Sequence, residues 1–372
     1  MTERRRTRSS RAGGNVVGAD PHRRTVSVSV LDERGGELGI KHFKVSGVGH
    51  RAMWEWVQGF GPVCRFGIEN ASGIGRHTAV FLIERGVDVR DVCPNRTAEQ
   101  SRRRRQGKSD ALDAVRIARE TLADPRVPVA FKRAGMERGP DPVHEQLLLW
   151  HKTRRSLTKS RARLLTEADH LFIELPLELR ERLPRSRDVR QRLHALERLD
   201  TGGYSDPVTR LRLRLLAEHT GRIDRLVRDE RLVARELAAL VKTSGSTLVE
   251  LRGIATRSAA ELLVEVGDPR RFTEGGFARF NGSAPLPCSS GEGAGEPVRH
   301  RFNPYGNRRV NAVLHRMAVT QLRYEPRARQ LYEQARHRGH TKTEAMRILK
   351  RRLSDIVYRR MIRDIDATPT AA

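Results

Sequence analysis

The chain has 372 residues, of which 37% are hydrophobic and 31% charged, and this apolar content excludes a globally disordered protein. A formal net charge of +27 and a pI of about 11.3 indicate a polyanionic partner such as nucleic acid, with a merely solvated basic surface as the alternative. The three cysteines form no CxxC pair, which argues against a zinc site or a disulfide framework. No apolar run is long enough to span a bilayer.

The first segments have the patterns of an arm followed by a sheet. Residues 1–14 are basic and have no apolar segment behind them, so we expect a flexible arm rather than a signal peptide. Strand-like segments follow, several of them alternating with period two: VVGAD, TVSVSVLD, IKHFKV, CRFGIE and VDVRDVCP. Helical segments separate the later strands, and the order βββαβαβα predicts an α/β domain of mixed sheet type over residues 15–123.

The middle of the chain is helical. Residues 124–142 are irregular and rich in proline and glycine, which indicates a linker. Residues 143–245 then carry two series at seven-residue spacing: Trp150, Leu157, Leu164 and Leu171, and later His219, Leu226, Val233 and Leu240. The spacing predicts a helical hairpin, either an antiparallel coiled coil or an ordinary helical pair.

The last region combines helices with a loop. Residues 246–366 begin with a Gly-Ile turn and a helix, and then contain the Gly- and Pro-rich stretch GSAPLPCSSGEGAGEPVRH. Amphipathic helices with many arginines follow, and residues 367–372 form a tail. We therefore predict a mainly α C-terminal domain.

Four carboxylates are distinguished by their places in these elements. Asp20 and Glu69 end predicted strands, while Asp110 and Asp113 lie one helical turn apart, behind an arginine run. Each alone has an ordinary explanation as a turn former or as a first-turn helix residue. Together, four oxygen donors in a basic protein predict a site for Mg²⁺ or Mn²⁺, which can activate an oxygen nucleophile at a phosphodiester.

The segments that carry these carboxylates, VVGADPHRRTVSVSVLD, FGIENASG and GKSDALDAVRIA, resemble the N-terminal domain of DEDD-type insertion-sequence transposases. The later segments LRGIATRSAAELLVEVGDPRRF, GSAPLPCSSG and YGNRRVNAVLHRMA resemble the second domain of that family, so the resemblance covers residues 16–364. It implies a ribonuclease-H-like, resolvase-like fold for the N-terminal domain. It also maps the family's four acidic positions onto Asp20, Glu69, Asp110 and Asp113.

The resemblance further implies a serine nucleophile in the C-terminal domain, at a serine that precedes a glycine. Ser290 precedes Gly291 and is our candidate, and the adjacent Ser289 is the alternative. Flanking glycine lets a hydroxyl approach a DNA phosphate closely. Cys288 is intrinsically more nucleophilic but does not align with the family's serine. Without the resemblance, both serines would be interpreted as ordinary loop residues.

Basic residues accompany both candidate sites. Near the aspartates, we expect five of them to bind a nucleic-acid backbone: Arg102, Arg103, Arg104, Arg105 and Lys108. Exposed ion pairs stabilise by only about 0–1 kcal/mol, so pairing with the aspartates does not explain this run. Around the serine, we expect four more to bind phosphate: Arg299, Arg301, Arg308 and Arg309. A solvated basic face is the alternative for this second group.

The combined prediction is a DNA transposase or recombinase that cuts and rejoins strands through a transient phosphoserine linkage. The resemblance implies, in addition, a structured guide RNA encoded by the mobile element. Strand exchange implies a homo-oligomer, a dimer or a tetramer, with the helical hairpin as the dimerisation element. The alternatives are a metal-dependent junction-resolving nuclease that uses water and a non-catalytic nucleic-acid-binding protein. We also expect a cytoplasmic, nucleoid-associated location and no membrane partner.

Overall fold

A computed structural model describes residues 13–93, 110–133, 139–287, 300–301 and 303–367, with the backbone alone at residues 287, 300 and 301. The chain divides into two compact units, Met1–Asp141 and Pro142–Ala372, so the helical hairpin and the C-terminal region fall in one unit. Among the described helices, none combines the length and the apolar composition needed to cross a membrane.

The described part of the first unit contains five strands and three helices in the order β1 (Asn15–Pro21), β2 (Thr25–Leu31), β3 (Glu37–Lys44), α1 (Gly47–Gln58), β4 (Val63–Glu69), α2 (Arg76–Ile83), β5 (Val89–Val92) and α3 (Asp110–Ala123). The strands form one sheet in the order β3-β2-β1-β4-β5. Strand β2 is antiparallel to β1 and β3, whereas β4 is parallel to β1 and β5. The predicted mixed α/β domain is confirmed, and the sheet is consistent with a ribonuclease-H-like fold.

Helices cover both faces of this sheet. Successive side chains of a strand point to opposite faces. On one face, Val17 and Ala19 of β1 share an apolar core with Met53 and Val57 of α1 and Leu82 of α2. The other face packs against α3, whose main contacts are with β1, β2 and β4. Helix α3 is therefore positioned by the central strands.

Two glycines allow α3 to approach the sheet at backbone distance. Gly18 and Gly67 are paired across β1 and β4. A Cβ at Gly18 would lie 2.3 Å from the carbonyl oxygen of Ala114 and 2.3 Å from the amide nitrogen of Ala118. A Cβ at Gly67 would lie 1.9 Å from Oγ1 of Thr121. A side chain at either position would push α3 off the sheet.

Part of the predicted linker lies in the first unit. Val127, Ala130 and Phe131 are buried in apolar clusters of this unit. An isolated antiparallel bridge joins Val129 to Arg90 of β5. The segment after α3 therefore packs at the edge of the sheet, although its composition is that of a linker.

The loop after β4 is held by Asp91 of β5. One carboxyl oxygen of Asp91 accepts a 2.8 Å hydrogen bond from the backbone amide of Ala71. Burial raises the pKa of Asp91 above its ordinary value. Ala71 comes two residues after Glu69, so this bond fixes the chain where it leaves β4.

The described part of the second unit is helical apart from one short hairpin, in the order α4 (Pro142–Ile173), α5 (Leu177–Glu181), α6 (Val189–Glu197), α7 (Pro207–Thr243), α8 (Thr256–Val266), α9 (Glu274–Phe280), β6 (Leu286–Pro287), β7 (His300–Arg301), α10 (Arg308–Tyr324), α11 (Pro326–His337) and α12 (Lys342–Ala367). Helix α8 is central, because every residue from Ser258 to Val266 is buried. The predicted helical C-terminal region is confirmed.

The long helices α4 and α7 pack as an antiparallel pair. Arg161 of α4 pairs with Glu230 of α7 at 3.1 Å, and Glu174, just after α4, pairs with Arg212 of α7 at 2.9 Å. Because the later residue of the first helix pairs with the earlier residue of the second, the two helices are antiparallel. Helix α4 also buries polar residues such as His151, which faces Glu261 and Glu265 of α8 and whose pKa is lowered by burial. The helical pair is confirmed, whereas the coiled coil is not.

We predict that Gly18→Ala destabilises the first unit by about 3 kcal/mol, because the added methyl overlaps the backbone of α3. Calorimetric melting would measure the loss, and hydrogen exchange would show reduced protection in α3. Gly47→Ala is the matched control, since a Cβ there meets only an Arg51 nitrogen at 3.6 Å. Equal melting of both variants and the wild type would refute the close-packing argument.

We predict that two substitutions of Asp91 share one pH trend relative to wild type but differ in stability. A raised pKa means that folding favours the protonated carboxyl, so the contribution of Asp91 to wild-type stability falls as the pH rises above about 4. Asp91→Asn keeps an acceptor for Ala71 without this charge, so it should gain stability relative to wild type between pH 4 and 7. Asp91→Ala also lacks the charge but loses the bond, so it should follow the same pH trend and lie about 1–3 kcal/mol below Asp91→Asn. Urea unfolding in metal-free buffers measures both, and a pH-independent Asn–wild-type difference would contradict the prediction.

Candidate active site

The ends of β1 and β4 bring two of the predicted carboxylates to one edge of the sheet. The parallel register pairs Gly18 with Gly67 and Ala19 with Ile68. Asp20 and Glu69 are the next residues of these strands, and alternation places them on the face that Gly18 and Gly67 present to α3. The strands thus direct both carboxylates toward the helix that carries the other two.

Asp20, His22 and Asp110 form a compact group of ligand atoms. His22 Nε2 lies 3.4 Å from Oδ2 of Asp20 and 3.2 Å from Oδ2 of Asp110. All three potential ligand atoms are within 4.8 Å of one another. The Asp20 side chain is 14% exposed and that of Asp110 is 56% exposed, so the group opens to solvent on the side of the helix.

Asp113 is paired with an arginine of its own helix. Its Oδ1 accepts a 2.6 Å hydrogen bond from Nη1 of Arg116, whose side chain is only 8% exposed. This charge-assisted bond holds the carboxylate and offsets its negative charge. Sequence reasoning missed Arg116, although its spacing of three residues from Asp113 would have indicated the pair.

Carboxylate oxygens and one imidazole nitrogen are suitable ligands for a divalent cation. Of the four predicted carboxylates, Asp20 and Asp110 are in one ligand group, and Glu69 lies on the same face. Asp113 lies one turn further along α3. His22 was not predicted; it follows the last residue of β1, where its backbone amide donates to the carbonyl of Thr25 at 2.8 Å. The residues present therefore fit a metal site.

The segment with the candidate serine begins and ends on a two-stranded hairpin of the second unit. Strands β6 and β7 pair antiparallel, with Leu286 opposite Arg301 and Pro287 opposite His300. Several predicted residues lie outside the described part of the chain: Cys288, Ser289, Ser290, Arg299, and the basic group Arg102, Arg103, Arg104, Arg105 and Lys108. Their roles remain predictions.

Asparagines fix the chain on both sides of this hairpin. Asn281 donates a 2.8 Å hydrogen bond to Ser354 of α12, and its carbonyl accepts one of 2.7 Å from Asn311 of α10. Lys350 donates to Asn311 at 2.6 Å, and burial lowers the pKa of this lysine. Asn307 caps α10 by accepting from two backbone amides. The hairpin is thus anchored to the helical core.

A cleft of about 400 Å³ lies beside the hairpin. Ser283 and Pro285 line one side, and Arg347, Lys350 and Arg351 of α12 line the other. Glu344 also lines the cleft, and Arg351 is paired with Asp355, so the basic residues of this cleft are partly compensated.

Two of the predicted phosphate-binding arginines are described with their side chains. Arg308 is exposed at the first turn of α10. Arg309 forms an ion pair with Glu265 of α8, a carboxylate that is 7% exposed. The ion pair of Arg309 joins α10 to α8. Arg308 is therefore the better placed of the two arginines to contact phosphate. For Arg301, only the backbone in β7 is described.

Two family models match the chain, one in its N-terminal half and one in its C-terminal region. A model of IS110-type DEDD transposases, described as "Transposase", matches residues 17–172. A model described as "Transposase IS116/IS110/IS902 family" matches residues 245–333. The carboxylates of the first unit and the hairpin of the second fall within these two ranges.

A relative from Streptomyces coelicolor, named "Insertion element IS110 uncharacterized 43.6 kDa protein", is 33% identical over 119 residues. The match covers 32% of this chain and 28% of the relative. Both matched models describe transposases of one family, and they do so in the order expected from the sequence. The chain therefore belongs to the IS110 family of DEDD transposases.

Proposed function

We propose that the chain is a DNA transposase that cuts and rejoins strands through a transient linkage to Ser290, assisted by Mg²⁺ or Mn²⁺ at the acidic residues. Family membership supports the reaction class. The observation that carries the metal-assisted step is the convergence of Asp20 and Asp110 at the end of β1. Glu69 and Asp113 complete the proposed acidic set.

The acidic residues have a clear chemical role in this proposal. A divalent cation held by them would stabilise negative charge on the phosphate oxygens and favour the ionised form of the attacking hydroxyl. Asp20 is the most enclosed donor of the ligand group, and the Ala71–Asp91 hydrogen bond fixes the chain beyond Glu69. Packing and this hydrogen bond support a fixed arrangement at the ends of β1 and β4.

The covalent steps balance without an external energy source. In cleavage, Ser290 Oγ loses its proton and bonds to phosphorus, while one bridging P–O bond of the DNA breaks and the leaving sugar oxygen gains a proton. In rejoining, a sugar hydroxyl of another strand attacks the same phosphorus and releases the serine. One phosphodiester replaces another at each step, so the energy of the broken bond is retained.

The nucleic-acid partners are DNA and a structured guide RNA. The net charge of +27 supports contact with more phosphate than one duplex segment presents. Arg102–Arg105 with Lys108, and Arg299, Arg301, Arg308 and Arg309, are the proposed contacts. The proposed assembly is a dimer or tetramer, with the α4–α7 pair as the dimerisation element.

A junction-resolving nuclease is the second candidate, because the same acidic group would equally activate a water molecule. This candidate does not use Ser290, so no covalent protein–DNA species forms. The two candidates differ in one observable intermediate.

We predict a protease-sensitive protein–DNA adduct when the protein is incubated with Mg²⁺, its element-end DNA and co-purifying RNA and is then denatured. Ser290→Ala and Asp110→Asn should each reduce the adduct at least about a thousandfold, because they remove the nucleophile and a metal ligand. Ser289→Ala and Cys288→Ser are the neighbouring controls and should retain it. Cut DNA without an adduct would favour the nuclease, and binding without cutting would favour a non-catalytic protein.

We predict that replacing Arg102–Arg105 with alanine weakens DNA binding and flattens its salt dependence. Four lost phosphate contacts should reduce the slope of log K against log salt concentration by about three to four. The control removes four arginines that are exposed on α7: Arg210, Arg214, Arg225 and Arg228. Fluorescence anisotropy over a salt series would measure both, and an unchanged slope in the first variant would place the run outside the interface.

A further inference from the structure

His22 occupies the centre of the ligand group in the first unit. Its Nε2 is the atom that brings the three residues together, at 3.4 Å from Asp20 and 3.2 Å from Asp110. The family's acidic set, as mapped onto this sequence, consists of carboxylates alone. The imidazole of His22, in the motif Asp20-Pro21-His22, lies outside that acidic set.

The environment of Nε2 is that of a ligand atom. The ring is 45% exposed, yet Nε2 itself is buried and forms no hydrogen bond with a described residue. The carboxylate oxygens are near it but outside hydrogen-bond geometry. A buried nitrogen that faces two carboxylates without a hydrogen bond can direct its lone pair toward a shared cation.

The distances also suit a common cation. Ligands at about 2.1 Å from an octahedral ion are separated by about 3.0 Å along an edge of the octahedron. The observed separations of 3.2 and 3.4 Å are close to this value. The three residues would need only small side-chain movements to share one ion.

We propose that His22 is a metal ligand through Nε2, and that it makes the acidic site prefer Mn²⁺ over Mg²⁺. The inference rests on the proposed metal-dependent function. Imidazole nitrogen is a good ligand for transition-metal ions, whereas Mg²⁺ prefers oxygen ligands almost exclusively. A site with His22 among its ligands gains more affinity for Mn²⁺ than for Mg²⁺.

A protonated His22 would have the opposite effect. As a cation between Asp20 and Asp110 it would form ion pairs with both and compete with metal for their oxygens. Its removal would then strengthen metal binding, whereas removal of a ligand weakens it. The sign of the change separates the two roles.

The test uses full-length protein without an affinity tag, titrated with Mn²⁺ and followed by the electron paramagnetic resonance of the free ion. His22→Ala should bind Mn²⁺ at least about tenfold more weakly, and the loss for Mg²⁺, measured by competition, should be smaller. His77→Ala is the matched control, since His77 is an exposed histidine of α2 in the same unit, and it should bind like wild type.

A second measurement reads the ligand directly. Electron spin echo modulation of bound Mn²⁺ should show a coordinated imidazole ¹⁴N in wild type and His77→Ala, and no such signal in His22→Ala. Absence of the signal from wild-type protein that binds Mn²⁺ would overturn the assignment, even if His22→Ala failed to fold. Equal or tighter Mn²⁺ binding by a folded His22→Ala would also overturn the assignment of His22 as a ligand, although the proposed metal site would then still stand. Wild-type protein that binds no Mn²⁺ would overturn both.

Discussion

The candidate active site depends on the contact between the backbone of α3 and the backbone of the sheet at Gly18. Asp20 and Glu69 lie two residues beyond Gly18 and Gly67, and Asp110 begins the helix that packs on this pair. One packing contact therefore sets the separation between carboxylates that are distant in sequence. Because the contact is made by main-chain atoms, it has little freedom to relax, and the carboxylates are held at a nearly fixed spacing.

Convergence of negative charges at one edge opposes folding unless positive groups compensate. Arg116 supplies such a group for Asp113, from a position that is almost fully buried. His22 contacts Asp20 and Asp110, and a bound cation would neutralise these two far more effectively than an imidazole. The acidic site thus combines an internal compensating charge on α3 with an open position where Asp110 reaches solvent.

Much of the first unit was predictable because its signals are local. Period-two alternation identified the strands, and Asp20 and Glu69 were noticed because they end those strands. Burial of Val127 and Phe131 was not predictable, because it depends on the distant edge strand β5 and not on local composition. The coiled coil is not confirmed, and seven-residue spacing alone does not separate it from an ordinary helical pair. Ser290 rests on the family resemblance, since no local pattern separates a nucleophile from a loop serine.

The hairpin of β6 and β7 constrains where the intervening chain begins and ends. Its paired residues hold the two ends of the intervening segment at strand separation, and the asparagine contacts secure them to α10 and α12. The chain therefore leaves the helical core and returns to it at adjacent points, however many residues lie between β6 and β7.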